Sequence, residues 1–436
     1  MHAIPAVAGI PVDFILFALT LAFVALFHHH TLRVAVAGLV LITLYKLLFS
    51  NFAGVPGVNG LLATLGREWV TLANLFGLLL GFALLSRHFE ESRLPALLPR
   101  FLPDDWKGGF VMLVGVFVLS SFLDNIAAAM IGGTMATVLF KGRLHIGFLA
   151  AVVAASNAGG SGSVVGDTTT TMMWIAGIPP LQVLDAYIAA VPALVFFGIV
   201  AARQQHAYQP ITKDAPAGIR VDWLRLLIVL TVLLAAIGAN VYFNLRHPEV
   251  LEQAPVIGLA VWLAILLTGW IRRPDWSLLP GATRGSVFLL SLVLCASMMP
   301  VEHLPRASWP AALGLGFVSA VFDNIPLTSL ALHQGGYDWG FLAYAVGFGG
   351  SMIWFGSSAG VALAGMFPQA RSVGAWVVGG WHVAVGYLIG FACLLFTLGW
   401  HPDTALRPAL SAPALSAPAL SAPAFSAPAL HTESKP

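Results

Sequence analysis

The sequence predicts an all-α polytopic membrane protein with two inverted repeats, about ten transmembrane helices, two re-entrant hairpins and two broken helices. Composition is the first reason: 58% of the 436 residues are hydrophobic and only 9% are charged, whereas soluble domains carry about 25% charged residues. Apolar runs of bilayer length also recur along the chain. Finally, two short motifs occur once in each half, in the same order. Together these observations indicate an internally duplicated membrane protein.

The first predicted repeat covers residues 10–202. Its hairpin has two apolar arms of about 15 residues each, and a full span needs about 20. The hairpin is therefore predicted to enter the bilayer and return to the same side. In chain order, the predicted elements are three spans near 11–27, 32–49 and 69–85, the hairpin at 108–139, a broken helix at 144–178 and a span at 183–201.

The second predicted repeat covers residues 223–400 and follows a polar, cytoplasmic linker at 203–222. Residues 401–436 form a Pro/Ala/Ser-rich tail with Pro at every fifth position, which forbids a helix and predicts disorder. In chain order, the predicted elements are spans at 224–243, 255–271 and 285–299, a hairpin at 309–333, a broken helix at 339–366 and a span at 376–398.

The distribution of basic residues predicts the orientation. With the N-terminus outside and the hairpins not counted as crossings, 15 of the 21 Lys and Arg residues fall on the inner side and five on the outer side. This distribution satisfies the positive-inside rule. It also places the first hairpin on the cytoplasmic side and the second on the outer side, so the two repeats are predicted to be inverted.

The tip of each predicted hairpin carries the same acidic motif. Ser120 to Ile126 ends in Leu-Asp-Asn-Ile, and Ser319 to Ile325 ends in Phe-Asp-Asn-Ile. A charged carboxylate at mid-bilayer costs about 2.5–3.5 kcal/mol on insertion scales, so Asp124 and Asp323 are functional candidates. The alternative is that each aspartate only caps the helix that follows it.

A second repeated motif interrupts the predicted broken helices. Gly159-Gly160-Ser161 with Asp167 matches Gly349-Gly350-Ser351 with Ser357 at identical spacing. Glycines at this depth free backbone carbonyls and helix ends, which together with hydroxyl and amide oxygens suit a small alkali cation. The alternative is that small residues here only allow helices to pack closely.

The carboxylates suggest a mechanism. Burial disfavours the charged form of a carboxylate, and so does a second carboxylate nearby. If the first hairpin tip meets the first broken helix, Asp124 and Asp167 share a pocket and release protons when a cation arrives. The second half has Ser357 in place of Asp167 and would leave Asp323 facing that serine. We therefore predict the proton-coupled cation site in the first half.

These motifs resemble those of the NhaD-type sodium/proton antiporters, which belong to a superfamily that also contains citrate and arsenite carriers. The resemblance covers roughly residues 10–400. It implies exchange of Na⁺ or Li⁺ for H⁺ by elevator-like alternating access. It also implies a homodimer in the cell membrane, which in a bacterium is the inner membrane. It also implies that ten residues are critical for transport: Ser120, Asp124, Asn125, Asn157, Asp167, Thr169, Thr170, Ser319, Asp323 and Asn324.

The resulting expectation is a transporter rather than an enzyme, with Na⁺ or Li⁺ and H⁺ as transported ions and no cofactor. The hydroxyls of Ser351 and Ser357 are added to the candidate ion-binding residues because they lie in the second break. The hypothesis for bound Na⁺ places it at Asp124, Asn125, Asn157 and Asp167.

Other functions were weighed against this one. A citrate, carboxylate or oxyanion carrier is a close alternative, although no Arg lies near the motifs in the sequence to bind an anion. An intramembrane aspartyl protease is a remote alternative, because Val164 stands where its Gly-x-Gly-Asp signature needs the first glycine. A purely structural membrane protein is disfavoured, because burial of three carboxylates in the membrane costs free energy and serves no function there.

Scattered basic residues give no sign of nucleic-acid binding. Cys295 and Cys393 both lie in apolar segments, so neither a disulfide framework nor a cysteine metal site is expected.

Overall fold

The computed structural model describes residues 5–403 except 8, 28–29, 53, 95–101 and 213–219. The linker residues 213–219 and nearly all of the Pro/Ala/Ser-rich tail, from 404 onwards, therefore lie outside the described residues. Within the described part, the protein is a multi-pass helical membrane protein. Its only sheet there is a two-stranded ladder near the N-terminus, β1 (Ala6–Val7) and β2 (Ile10–Pro11).

Nine helices lie in the described part of the first half. They are α1 (Val12–Leu26), α2 (Thr31–Phe49), α3 (Gly57–Glu91), α4 (Trp106–Ser120), α5 (Asn125–Leu139), α6 (Ile146–Ser161), α7 (Thr168–Ile175), α8 (Pro180–Leu184) and α9 (Ala186–Tyr208). The predicted hairpin corresponds to α4 and α5, and the predicted broken helix to α6 and α7.

The second half follows the same order. Its helices are α10 (Trp223–Arg246), α11 (Pro248–Gln253), α12 (Val256–Thr268), α13 (Leu279–Ser297), α14 (Trp309–Ser319), α15 (Asn324–Gln334), α16 (Trp339–Gly349), α17 (Ser358–Met366), α18 (Val373–Gly379) and α19 (Trp381–Thr397). Here α14 and α15 form the hairpin, and α16 and α17 form the broken helix.

Two boundaries differ from the sequence prediction. Helix α3 begins at Gly57 rather than 69 and has 35 residues, which is about 52 Å of helix at 1.5 Å per residue and exceeds the bilayer core of about 30 Å. Helix α9 continues to Tyr208, so the first part of the predicted linker is helical. The extension is about three turns of mixed polarity at the start of α3 and about two mainly polar turns at the end of α9.

Helix length and hydropathy identify fewer full spans than the sequence prediction does. Among the described residues, five helical segments are long and apolar enough to cross a membrane, and the bent pair α18–α19 would make six. The other apolar helices have 10–17 residues. They include three of the four hairpin arms and the first arm of each broken helix. Short helices of this kind need protein or water around their ends.

The helices pack as two groups. The framework comprises α1, α2, α3, α10, α12 and α13, which contact one another. The hairpin body comprises α4–α9 and α14–α19, with α9 packed along α19 and α6 against α16. Helix α13 joins the groups by packing on α15, and α3 contacts α7. The hairpin body therefore contains both repeated motifs, and the framework contains neither.

Glycines let each hairpin approach its broken helix. A Cβ on Gly159 would lie 2.1 Å from the carbonyl oxygen of Phe117, and one on Gly349 would lie 2.3 Å from that of Gly316. Neither space admits a methyl group. The repeated glycines are therefore required for backbone contact as well as for interrupting the helices.

Candidate functional site

The two breaks and the two hairpin tips meet inside the hairpin body. Each hairpin's first arm packs on the broken helix of its own half, as α4 does on α6 and α14 on α16. Each second arm contacts the broken helix of its own half and also packs on the far end of the other broken helix, so α5 contacts α17 and α15 contacts α7. The centre is therefore built from both halves at once.

Asp167 is the most enclosed of the three carboxylates. It is 2% exposed and caps α7, where its Oδ1 accepts from the backbone N–H of Thr169 at 3.3 Å. Its Oδ2 accepts from Nδ2 of Asn324, across the two halves, at 3.5 Å. Both bonds are long for a carboxylate. Within the described residues, Asp167 has no ion pair with Lys, Arg or His.

The aspartates at the hairpin tips are half-buried. Asp124 precedes α5 and makes no side-chain capping hydrogen bond. Asp323 caps α15 by accepting from the N–H of Ile325 at 3.0 Å, and Ser358 donates its hydroxyl to Asp323 at 3.3 Å. Asp124 and Asp323 both lie within electrostatic range of Asp167. No hydrogen bond joins any two of the three carboxylates.

The predicted partners therefore differ from those in the structure. Asp167 is bonded to Asn324 of the second hairpin, not to Asp124. Asp323 is bonded to Ser358, one residue after the predicted Ser357. The physical reason is that the second arm of each hairpin crosses to the other half, which sequence order does not reveal.

An amide network links the first hairpin to the second break. Asn125 donates to Oδ1 of Asn157 at 3.1 Å. Asn157 then donates from Nδ2 to the hydroxyls of Ser351 and Ser357, each at 3.0 Å. Asn157, Ser351 and Ser357 are fully buried. Four candidate residues are thus in one chain of contacts, which does not include Asp167 or Asp124.

The hydroxyls of Ser120 and Ser319 anchor the hairpins. Ser120 donates to the carbonyl of Ser156 at 2.5 Å, and Ser319 donates to the carbonyl of Val346 at 2.8 Å. Both acceptors lie on the broken helix of the same half. Because each hydroxyl proton is engaged with backbone, these two serines position the tips at matching places in the two halves.

The threonines after Asp167 have different roles. Thr170 donates to the carbonyls of Ser163 and Asp167, which closes the loop between α6 and α7. Thr169 is fully buried, and its hydroxyl lies beside the Asp167 carboxylate without a well-formed hydrogen bond to any described residue. A buried hydroxyl without a partner is costly, so this oxygen is available to a ligand beside Asp167.

A cavity reaches the second tip from between the two helix groups. Its volume is about 300 Å³, and it touches Asp323 and Ser358 on the hairpin body and Leu21 and Phe288 on the framework. Thr31 and Gly285 line it near the predicted inner ends of α2 and α13. The cavity is mainly apolar, with the carboxylate at one end.

Sequence reasoning placed Ser358 at the second break without assigning it to Asp323, and it missed Gly347 and the framework's own buried charges. Gly347 stands at the position of the second broken helix that corresponds to Asn157, and the Asp167 carboxylate lies beside it. The identical spacing of the two Gly-Gly-Ser motifs could have shown that Gly347 corresponds to Asn157. No group of three or more His, Cys, Asp or Glu residues in the described part could hold a metal ion.

The chain is similar to several curated sodium/proton antiporters. It is 28% identical over 339 residues to Sodium/proton antiporter 1 of Arabidopsis thaliana, which covers 67% of this chain and 56% of that protein. It is 26% identical over 307 residues to the Na(+)/H(+) antiporter NhaD of Vibrio cholerae, covering 57% and 61%. With the NhaD of Alkalimonas amylolytica the identity is 27% over 318 residues, covering 61% and 63%.

The chain thus spans less than two thirds of the length of these three relatives. No protein-family model matches it.

Proposed function

We propose that this chain is a secondary transporter that exchanges Na⁺ or Li⁺ for H⁺, with cation and proton competing for buried carboxylates. The names of its relatives support this activity. The observation that carries it is Asp167, a carboxylate 2% exposed that has no cationic side chain beside it within the described residues. Such a group is expensive in the membrane unless it is neutralised.

Either a proton or an alkali cation can neutralise Asp167, but both cannot do so at once. Protonation removes the charge, and a bound cation balances it. Thr169 adds a hydroxyl oxygen beside the carboxylate, to which Asn324 donates an N–H. Hard oxygen donors of this kind suit Na⁺ or Li⁺. Competition at this group couples the inward movement of one ion to the outward movement of the other.

The fold supports alternating access. We infer that residues 10–202 and 223–400 are inverted repeats with about ten crossings, two re-entrant hairpins and two broken helices. The shared order of elements and the matching contacts of Ser120 and Ser319 support this arrangement. Movement of the hairpin body along the framework would then expose the carboxylates to one side at a time. The 300 Å³ cavity at Asp323 fits an inward-open path.

By likeness to the antiporters, we also propose that the chain acts as a homodimer in the cell membrane. Its framework helices would form the contact between copies, because the hairpin body must move. Mass measurement of the detergent-solubilised protein by light scattering would test this, and a monomer that retains full exchange would contradict it.

Everted membrane vesicles provide the functional test. Addition of Na⁺ or Li⁺ should release protons from a preformed gradient, measured by fluorescence dequenching of a pH-sensitive dye. The variants Asp167→Asn and Asp124→Asn should reduce this response to background. Asp105→Asn is the matched control, since Asp105 caps α4 on the exposed side, and it should retain most of the activity.

Full exchange in both Asp167→Asn and Asp124→Asn would overturn the proposal. Sodium-dependent uptake of radiolabelled citrate without Na⁺-induced proton movement would instead identify a carboxylate carrier.

A further inference from the structure

The two broken helices are in register at a constant offset, and the register pairs Asn157 with Gly347. Ser161 corresponds to Ser351 and Asp167 to Ser357 by the same spacing. Each member of the Asn157–Gly347 pair faces the break of the other half. Asn157 bonds to Ser351 and Ser357. A Cβ on Gly347 would lie 3.2 Å from Cβ of Ser161 and 3.4 Å from Oδ2 of Asp167.

The first of these arrangements, which we name the amide half-site, comprises Asn125, Asn157, Ser351 and Ser357. Both N–H groups of Asn157 are donated, one to each serine, and its carbonyl oxygen accepts from Asn125. Ser357 also accepts from the backbone N–H of Gly360 at 3.2 Å. Donated hydrogens therefore take both lone pairs of the Ser357 oxygen and one of the two on Ser351, which leaves little room for a cation between them.

The second arrangement, the carboxylate half-site, comprises Asp167, Thr169, Asn324 and Gly347. Its oxygen atoms, unlike those of the amide half-site, accept few hydrogen bonds. The carboxylate accepts two long hydrogen bonds, and the fully buried hydroxyl of Thr169 lies beside it without a well-formed hydrogen bond to any described residue. Because Gly347 has no side chain, no amide fills the space that Asn157 fills on the other side.

We propose that each chain has a single cation site, the carboxylate half-site, and that the amide of Asn157 permanently replaces the ion at the corresponding position in the other half. Asn157 is then a positioning residue that joins the first hairpin to the second break, not a ligand of the transported ion. This inference rests on the proposed exchange activity and gives it a stoichiometry.

Counting bound ions tests this inference. The purified full chain in detergent at alkaline pH should bind one ²²Na⁺ per chain, and Asp167→Asn should bind none. Asn157→Asp keeps the shape of the side chain but supplies a carboxylate to Ser351 and Ser357, and it should bind two. Two ions bound by the wild-type chain would overturn the inference, as would loss of all binding in a folded Asn157→Asp protein.

Ser357→Ala is a second variant, chosen in case Asn157→Asp does not fold. It removes one oxygen of the amide half-site, so the count should stay at one and the dissociation constant should change by less than about threefold. A weakening of tenfold or more would show that Ser357 ligates the ion and would overturn the inference.

A substitution at Gly347 tests the carboxylate half-site, because it narrows the space beside Asp167. Gly347→Ala adds a Cβ that requires Ser161 and the Asp167 carboxylate to shift by a few tenths of an ångström. The narrower space should weaken Na⁺ binding more than Li⁺ binding, by roughly tenfold against threefold. Equal effects on both ions would contradict a site at this position.

Failure of the proposed function looks different from failure of the inference. A wild-type chain that neither binds ²²Na⁺ nor exchanges it for protons would exclude the antiporter. A chain that exchanges ions but binds two of them would exclude only the single site.

Discussion

Buried carboxylates in the framework have cationic partners, whereas those in the hairpin body have none within the described residues. In the framework, Asp13 is fully buried and pairs with Nζ of Lys46 at 3.0 Å. Glu68, 3% exposed, lies 3.1 Å from Nε2 of His333 and 3.8 Å from Nε of Arg67. Asp124, Asp167 and Asp323 instead have hydroxyl, amide or backbone neighbours.

This difference separates two uses of a buried charge. A resident partner offsets the cost of burial permanently, so a paired carboxylate stabilises a fixed arrangement of helices. A carboxylate without a resident partner depends on an exchangeable ion or proton. The presence of a resident cationic partner, and not burial alone, therefore distinguishes the structural acids of this protein from the proposed transporting ones.

The largest effect is expected from breaking the framework pair. Asp13→Asn leaves the ammonium group of Lys46 buried without its counter-charge, and removal of one partner of a buried pair costs about 3–5 kcal/mol. Thermal unfolding in detergent, followed by tryptophan fluorescence, should show a marked loss of stability. The double variant Asp13→Asn/Lys46→Met should recover much of that loss. An Asp13→Asn protein as stable as wild type would remove the proposed structural role.

The corresponding change in the hairpin body should have the opposite signature. Asp167→Asn removes a carboxylate that has no resident partner, so stability without Na⁺ should be unchanged or higher. Wild type should gain about 2.7 kcal/mol at a Na⁺ concentration of 100 times its dissociation constant, and the variant should gain nothing. The melting temperature measured against Na⁺ concentration checks this. A Na⁺-dependent shift that persists in Asp167→Asn would place the ion elsewhere.

The close glycines should show a smaller but still clear effect. Gly159→Ala and Gly349→Ala would force the hairpins away from the broken helices, and overpacking of this kind typically costs about 1–3 kcal/mol. Exchange should fall strongly as the tips move from the carboxylates. Gly238→Ala in the framework helix α10 is the control, because no atom lies within 4 Å of its added Cβ. Equal effects at Gly238 and Gly159 would show that the contact is unimportant.

The smallest effect concerns the pair that joins the two groups of helices. Glu68 belongs to the framework helix α3, and His333 to α15 of the hairpin body. Protonation of His333 charges the pair, so acidic pH strengthens the link between the two groups of helices. His333→Gln should therefore raise exchange about two- to threefold at acidic pH and leave it unchanged at alkaline pH.

Arg67 is a further charge that acts on His333. Glu302 and His303 lie on a turn that packs against α15. Glu302→Gln is the control for that prediction and should leave the ratio of acidic to alkaline rates as in wild type. A uniform change at all pH values in His333→Gln would argue against a link that depends on protonation.

The class of the protein was predictable from its sequence because hydropathy is a local property. The mainly helical membrane fold is confirmed in its coarse form, whereas the inverted repeat and the number of crossings stay predictions. Asp124, Asp167 and Asp323 could be selected as candidates because a charge in an apolar segment is conspicuous without any structure. The paired charges of the framework were missed because Asp13 and Lys46 lie near helix ends, where a charge attracts no notice.

The partner of each polar residue could not be predicted. A repeated motif shows that two segments have the same local structure, but helix crossing decides which segments touch. The sequence by itself determined where the helices break and which side chains carry charge, since both follow from residue type and spacing. Only the tertiary structure decided that α15 crosses to α7, which brings Asn324 to Asp167, and that Asn157 enters one break while Gly347 brings no side chain to the other.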